Sequence, residues 1–292
     1  MNKDKNTIEL IECPRDAMQG WPHAIDTATK VSYLKSLLKV GFHTLDFGSF
    51  VSAKAIPQMA DTKEVLAALN LEQSAAQTST RLLAIVANLR GAQEAVLYPK
   101  ITYLGFPFSI SETFQLRNAN STLVKSFETV RQIQDLCLQH GKELVIYLSM
   151  GFGNPYGDPY SAGVLLDWVD KMASLGTNII SLADTVGLAE PAQIGSALQA
   201  LIPQYPDISF GVHLHSTREN SQDKLKAALD NGCLRFDGAL KGIGGCPMAQ
   251  NALVGNMDTE LMLQIFEEQG FKVHLNQSAL AEAATLAGSV FI

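Results

Sequence analysis

Eight short apolar runs, each followed by a longer amphipathic one, constrain this chain more than any other feature. The runs cover residues 7–13, 42–47, 81–87, 101–106, 144–150, 178–182, 208–213 and 235–239 and read as strands. Between them, residues 27–40 place Val31, Leu34, Leu37 and Leu38 at helical spacing. Further helices are predicted at 62–69, near Ala92, and at 123–140, 162–175, 191–201, 218–231 and 259–269. Gly141 and Gly176 stop two of them and Pro191 opens another. Eight strand and helix units in regular succession predict a single (β/α)8 TIM barrel over about residues 7–270, with no linker to divide it. Residues 276–292 predict one extra C-terminal helix, which either covers the barrel or offers an apolar face to a homodimer. The segment 107–121 is longer than a barrel turn needs and is a candidate lid.

Composition removes several classes of function. With 292 residues, 47% of them hydrophobic, the chain has material for a large core. A net charge of -7 without a Lys/Arg cluster argues against nucleic acid as a partner. No apolar run approaches the ~20 residues of a membrane span, and Met1 to Asn6 lead into no signal-peptide core, so a cytoplasmic protein with no membrane partner is expected. Cys13, Cys137, Cys233 and Cys246 form no CxxC pair and are expected to be reduced thiols.

In a barrel the chemistry sits where strands end. His213 and His215 end one apolar run with a single residue between them, so on an extended strand both imidazoles face the same way. They are either half of a site for Zn, Mn, Fe, Ni or Cu, or polar strand-end residues making ordinary hydrogen bonds. Asp16, ending the first strand, is the best third ligand, giving a two-histidine, one-carboxylate set with open positions. Arg15 beside it either orients an anion or forms a rim ion pair. Asp184 and Asp237 end other strands and are either helix caps or functional groups.

Five motifs then carry a resemblance. Cys13-Pro-Arg-Asp-Ala-Met-Gln19, Gly48-Ser-Phe-Val-Ser-Ala-Lys54 with Pro57-Gln-Met59, Ser181-Leu-Ala-Asp-Thr-Val-Gly187, Val212-His-Leu-His215 and Gly242-Ile-Gly-Gly-Cys-Pro247 resemble the 3-hydroxy-3-methylglutaryl-CoA (HMG-CoA) lyase family, in the same order over about residues 8–270. The resemblance implies a metal-dependent carbon–carbon lyase that cleaves an HMG-CoA-like thioester to acetyl-CoA and a keto acid such as acetoacetate. It implies that Asp16, His213, His215 and Asn256 hold a divalent ion, Mg or Mn with Zn as the alternative. Arg15 would stabilise the enolate, Cys246 would return a proton from a mobile loop, and Gln19, Ser49 and Asp184 would contact substrate. Asp46 or His213 would act as the base. A lone thiol is more often a small buried hydrophobe, but the place of Cys246 after Gly244-Gly245, on a loop that can bend over the barrel mouth, favours the functional reading.

The chain departs from the family pattern at Pro22, Asp46, Val145 and Ser216, changes that spare the metal grip and alter the pocket walls. Two other readings stay open: an acyl-CoA-condensing synthase of the same superfamily, and a catalytically silent relative that binds a metal or metabolite. A Schiff-base aldolase is disfavoured, because residues 178–183 offer no strand lysine.

Overall fold

A computed structural model of the chain describes residues 6–69, 79–245 and 254–292. The barrel strands are β1 (Glu9–Glu12), β2 (Thr44–Ser49), β3 (Arg81–Ile85), β4 (Ile101–Ser109), β5 (Glu143–Ser149), β6 (Ile179–Ala183) and β7 (Ser209–His213). A two-residue strand, β8 (His215–Ser216), then leaves the barrel before β9 (Arg235–Gly238) closes it. All neighbours are parallel; β1 completes the ring by pairing Ile11 with Thr44 of β2 and Glu9 with Arg235 of β9. A last short strand, β10 (Gly255–Asn256), runs antiparallel to β8 as a separate ribbon.

Around the barrel stand α1 (Pro14–Gln19), α2 (Thr27–Val40), α3 (Thr62–Ala68), α4 (Leu89–Ala95), α5 (Glu112–Ala119) and α6 (Leu123–Gln139). They are followed by α7 (Ala162–Ser174), α8 (Pro191–Gln204), α9 (Ser221–Asp230), α10 (Thr259–Glu268) and α11 (Gln277–Val290). Several start at side-chain caps: Asp26, Asn88, Ser111 and Ser161 accept from the backbone N–H three residues on. Each such cap contributes about 1 kcal/mol and accounts for much of the rim's polarity without invoking chemistry.

The core has two compartments. Inside the barrel, Leu83, Ile85, Tyr103, Val145, Tyr147 and Ile179 pack together. Outside it, the buried stripes of the helices, such as Val130, Ile133 and Cys137 of α6 at helical spacing, close on the outer strand faces. Charged side chains are buried in the barrel as well. Arg235 lies fully buried with its stem across Gly211, where a Cβ would come within 2.9 Å of the arginine Cγ.

Two expectations need correction. Residues 107–121 are not a long lid, because β4 runs on to Ser109 and Ser111 caps α5. Asp158 then fastens the start of that helix, accepting from Thr113 N at 2.8 Å and from the Ser111 hydroxyl. The helix predicted from residue 218 begins only at Ser221. The extra C-terminal helix is present, and its apolar face of Ala279, Ala283 and Ala287 is buried. It packs on α2, and Phe291 meets Trp21 and Tyr33 edge-on at 5.2 and 5.9 Å, so this face serves as cover within the chain. Among the described residues, no helix is long and apolar enough to cross a membrane.

Glu12, the last residue of β1, has no exposed surface. Its Oε1 accepts from Leu240 N at 2.8 Å and its Oε2 from the Thr259 hydroxyl at 2.6 Å, so one carboxyl ties the exit of β9 to the start of α10. Burial pushes this carboxyl up to about 8, against the pull of both hydrogen bonds. Between the ordinary glutamate range and about pH 8, the unfolded chain has lost this proton and the folded chain keeps it. Stability from this group therefore falls as pH rises through that window, by about 1.4 kcal/mol per pH unit, and levels off above it. Glu12→Gln mimics the protonated form. In urea melts it should match wild type near about pH 5 and exceed it by a few kcal/mol near about pH 8; a difference that does not change with pH would refute the assignment.

Candidate active site

The site begins with a helix too short for periodicity to reveal. Pro14 takes the first turn of α1, where its missing N–H costs nothing. The turn that follows sets Asp16 and Gln19 on one face, and Gln19 Nε2 donates to Asp16 Oδ1 at 2.6 Å. Arg15 points to β2. Its Nε donates to Asp46 Oδ2 and Oδ1 at 3.0 and 3.2 Å, its Nη2 to Oδ2 at 2.6 Å, and its Nη1 to Asp16 Oδ1 at 3.1 Å. All three residues are buried. Desolvation works against the Arg15 charge, but two carboxylates on one guanidinium keep it firmly protonated.

On the far side of the mouth, β7 ends in His213 and β8 begins with His215. Leu214 breaks the strand between them, yet the two rings stay on one side, 5.2 Å apart between centroids. One ligand atom each from Asp16, His213 and His215 lies within 4.8 Å of the others. The hydrogen bonds fix which imidazole nitrogens are free. His215 Nδ1 lies 3.1 Å from the Thr185 carbonyl, which can only accept, so Nδ1 carries the proton and Nε2 the lone pair. His213 Nδ1 faces Asp237 Oδ2 at 3.1 Å in the same manner. Among the described residues, His215 Nε2 is buried without a partner, and so is Asn256 Oδ1. The Asn256 amide nitrogen is spent on Asp16 Oδ2 and Ile243 O, both at 2.9 Å. A carboxylate, two imidazole lone pairs and an unpaired amide oxygen at one buried point form a nitrogen and oxygen donor set that fits a divalent cation.

The charges around this point differ by residue. Burial alone would push the Asp16 carboxyl up; Arg15, the two histidines and the Asn256 amide outweigh it and hold the group low. Burial pushes Asp46 up to about 6 despite Arg15. His213 is raised, burial being overcome by Asp237 and Asp16, whereas burial and its neighbour His213 lower His215 and favour its neutral, ligating form. The Cys13 thiol is held up by burial and by Asp237, Asp46 and Asp16.

Thus Arg15, Asp16, Gln19, Asp46, His213, His215 and Asn256 converge. Asn256 comes into place because β10 pairs it with His215. Ser49 ends β2, its amide bonded to the Thr62 hydroxyl and its Oγ accepting from Val51 N. Cys246 lies outside the described residues, though the chain leading to it is fixed: a Cβ at Gly244 would come within 2.6 Å of Asn256 Nδ2 and 2.7 Å of Ala17 Cα. Of the positions that depart from the family pattern, Val145 is fully buried inside the barrel and Ser216 donates to Met257 Sδ at 3.5 Å.

Asp184 stands one layer back. Its Oδ1 accepts from Ala189 N at 3.0 Å and its Oδ2 from Lys224 Nζ at 2.7 Å. Lys224 also donates to His215 O at 2.8 Å and Gly187 O at 3.2 Å, so one buried ammonium braces β8 and the loop after β6. Sequence reasoning missed this lysine. Its signal was positional: it shares the inward face of α9 with Ser221, Leu225 and Ala228, where a charge is out of place.

The family model described as HMGL-like matches residues 8–287. The chain belongs to the HMGL-like family. Among curated HMGL-like relatives, a hydroxymethylglutaryl-CoA lyase of Bacillus subtilis is 30% identical over 271 residues, 93% of this chain and 88% of the relative. An (R)-citramalyl-CoA lyase of Chloroflexus aurantiacus is 29% identical over 276 residues, 93% and 86% of the two chains. Among solved structures, an HMG-CoA lyase from Acinetobacter baumannii in complex with coenzyme A and 3-methylmalate superposes with a TM-score of 0.88 at 29% identity, covering 100% of this chain and 93% of that one. The HMG-CoA lyase from Brucella melitensis gives 0.89 at 28% identity, covering 98% and 99%.

The Lys224–Asp184 pair is buried on both sides, so breaking it strands a charge. Lys224→Met should destabilise the protein by about 3–5 kcal/mol in denaturant melts, and adding Asp184→Asn should recover a substantial part. Full additivity of the two losses would mean that the ions do not depend on each other.

Proposed function

We propose that this chain is a divalent-metal-dependent lyase that cleaves an HMG-CoA-like 3-hydroxyacyl thioester to acetyl-CoA and a keto acid such as acetoacetate. The observation that carries this reading is the set of unpaired lone pairs on His215 and Asn256, buried beside Asp16 and His213 and next to a guanidinium clamped by two carboxylates. Asp16, His213, His215 and Asn256 would hold the ion, Mg or Mn by the oxygen share of the donor set. When bound, the ion supplies Lewis-acid polarisation of the substrate's hydroxyl and carboxylate oxygens.

The chain's own residues supply the rest. Breaking the bond moves an electron pair toward the thioester, so negative charge develops on its oxygen. Arg15, preset by Asp46 and Asp16, offers fixed positive charge there without reorganising. Asp46 accepts the hydroxyl proton, since its Oδ1 carries a single long contact of 3.2 Å and keeps a lone pair free. His213, backed by Asp237, is the second candidate for that proton. Gln19 and Ser49 orient the substrate, Asp184 holds the wall behind His215, and Cys246 returns a proton to the carbon of the departing acetyl unit. Lys54, Lys63 and Arg90, from three separate segments, line a cavity of about 390 Å³ beside Ser49 together with Glu94, which pairs with Lys63, so that Lys54 and Arg90 supply the net positive charge for the phosphates of a coenzyme A tail. Lys224 is unsuited to Schiff-base chemistry, since its ammonium donates to three partners.

The similarity to an (R)-citramalyl-CoA lyase supports a second substrate, and the altered walls at Pro22, Val145 and Ser216 leave the acyl group as the variable. The test is metal analysis of the purified protein followed by assay of both thioesters. We expect about one divalent ion per chain, lost in His215→Ala, and chelator-sensitive acetoacetate release from HMG-CoA. Arg15→Gln should keep the ion and lose roughly 10²- to 10³-fold in turnover. Release from citramalyl-CoA alone would reassign the substrate. No release from either thioester by metal-loaded protein would refute the lyase reading, and unchanged turnover in Arg15→Gln would remove its enolate role.

A further inference from the structure

A second donor set lies beside the first and is not used by the proposed mechanism. Ligand atoms of Cys13, His213 and Asp237 fall within 4.8 Å of one another. Cys13 and Asp237 are 1% and 2% exposed. The cysteine makes only a weak 3.9 Å contact from Sγ to Ile11 O. Asp237 uses Oδ2 on His213, but its Oδ1 is buried without a partner among the described residues. An unpaired carboxylate oxygen at that depth is costly unless something fills the position. The surroundings favour a cation, because the carboxylates of Asp16, Asp46 and Asp237 all act on the Cys13 thiol, with Arg15 opposing them.

We infer that Cys13, His213 and Asp237 form a second cation site, selective for a thiophilic divalent ion such as Zn or Cd, that competes with the first site for His213. The donor chemistry separates the two. The set of Asp16, His215 and Asn256 adds only oxygen and nitrogen to His213 and so accepts Mg or Mn as well as borderline ions, whereas a thiolate with one imidazole and one carboxylate favours a soft tetrahedral one.

Competition follows from the single lone pair of a neutral imidazole. With Nδ1–H donated to Asp237, the lone pair is on Nε2 and serves the first site. When a soft ion takes Nδ1, the ring proton moves to Nε2 and the Cys13 thiol proton leaves to solvent. One proton is released per ion bound, and the first site loses a ligand. His213 is the most exposed of the three side chains, at 13%, and gives an entry path from the mouth. The soft ion therefore acts as an inhibitor that displaces the hard one.

The test reads the ions and needs no turnover, so it stands apart from the substrate assignment. Full-length protein loaded with Mn²⁺ is titrated with Cd²⁺, following sulfur-to-cadmium charge-transfer absorption in the ultraviolet and free Mn²⁺ by electron paramagnetic resonance. Wild type and Cys246→Ser should both develop the band and release Mn²⁺ in step with it. Cys13→Ser should show no band, and should need at least about tenfold more Cd²⁺ to release Mn²⁺. Asp237→Asn, which keeps the side chain's shape and the sulfur, should show the band with Cd²⁺ affinity lowered about 10- to 100-fold. A band that survives in Cys13→Ser, no band in wild type, or a wild-type band without Mn²⁺ release would each overturn the inference.

Discussion

Everything at the mouth of this barrel depends on how one buried guanidinium is held. Arg15 spends its fork on Asp46 and its remaining arm on Asp16, so a charge that would be expensive alone is enclosed by two opposite ones. The same pairing aims Asp16 across the mouth, where the Asn256 amide holds its other oxygen. A helix of six residues can carry such precision because its neighbours fix it at both ends: Cys13 N bonds to Gly238 O of β9, and Gln19 closes back on Asp16.

Behind that first layer stands a second that sets its geometry. Thr185 and Asp237 choose the tautomers of the two histidines, and Lys224 grips the backbone of one of them. The polar groups at the rim thus fall into three kinds: helix caps such as Asn88 and Ser161, braces such as Asp184 with Lys224, and the converging set itself. Separating them required counting what each oxygen and nitrogen already bonds to. Both Asp184 oxygens are bonded, while His215 and Asn256 each keep one atom without a partner among the described residues.

Much of this was legible in the letters. The eight apolar runs gave the barrel, because strands buried on both faces leave an unmistakable pattern. The spacing of His213 and His215 gave the shared face even though Leu214 interrupts the strand, since period-two geometry tolerates a local loss of pairing. The resemblance named Asn256, but its delivery by the β8–β10 ribbon was hidden, because two-residue strands have no periodicity to read. The α1 helix escaped for the same reason, with only Pro14 to mark it. The supposed lid at 107–121 failed because Ser111-Glu112 is a helix start, which length alone does not reveal. Lys224 was legible in principle as a charge on an apolar face, and the periodicity that identified its helix could have flagged it.

The contacts that complete the site are among the longest-range in the chain. Asp16 meets Asn256, and Glu12 meets Leu240 and Thr259, across separations of 240, 228 and 247 residues. Loop closure over such distances is costly until the ring of strands is shut, so these bonds are expected to form late in folding. A chain emerging from synthesis therefore carries its first acid and its two histidines far apart until the barrel closes. On the proposed reading, cation affinity would be gained only once β10 brings Asn256 beside Asp16 and His215, and a product cut short before it would lack a complete donor set.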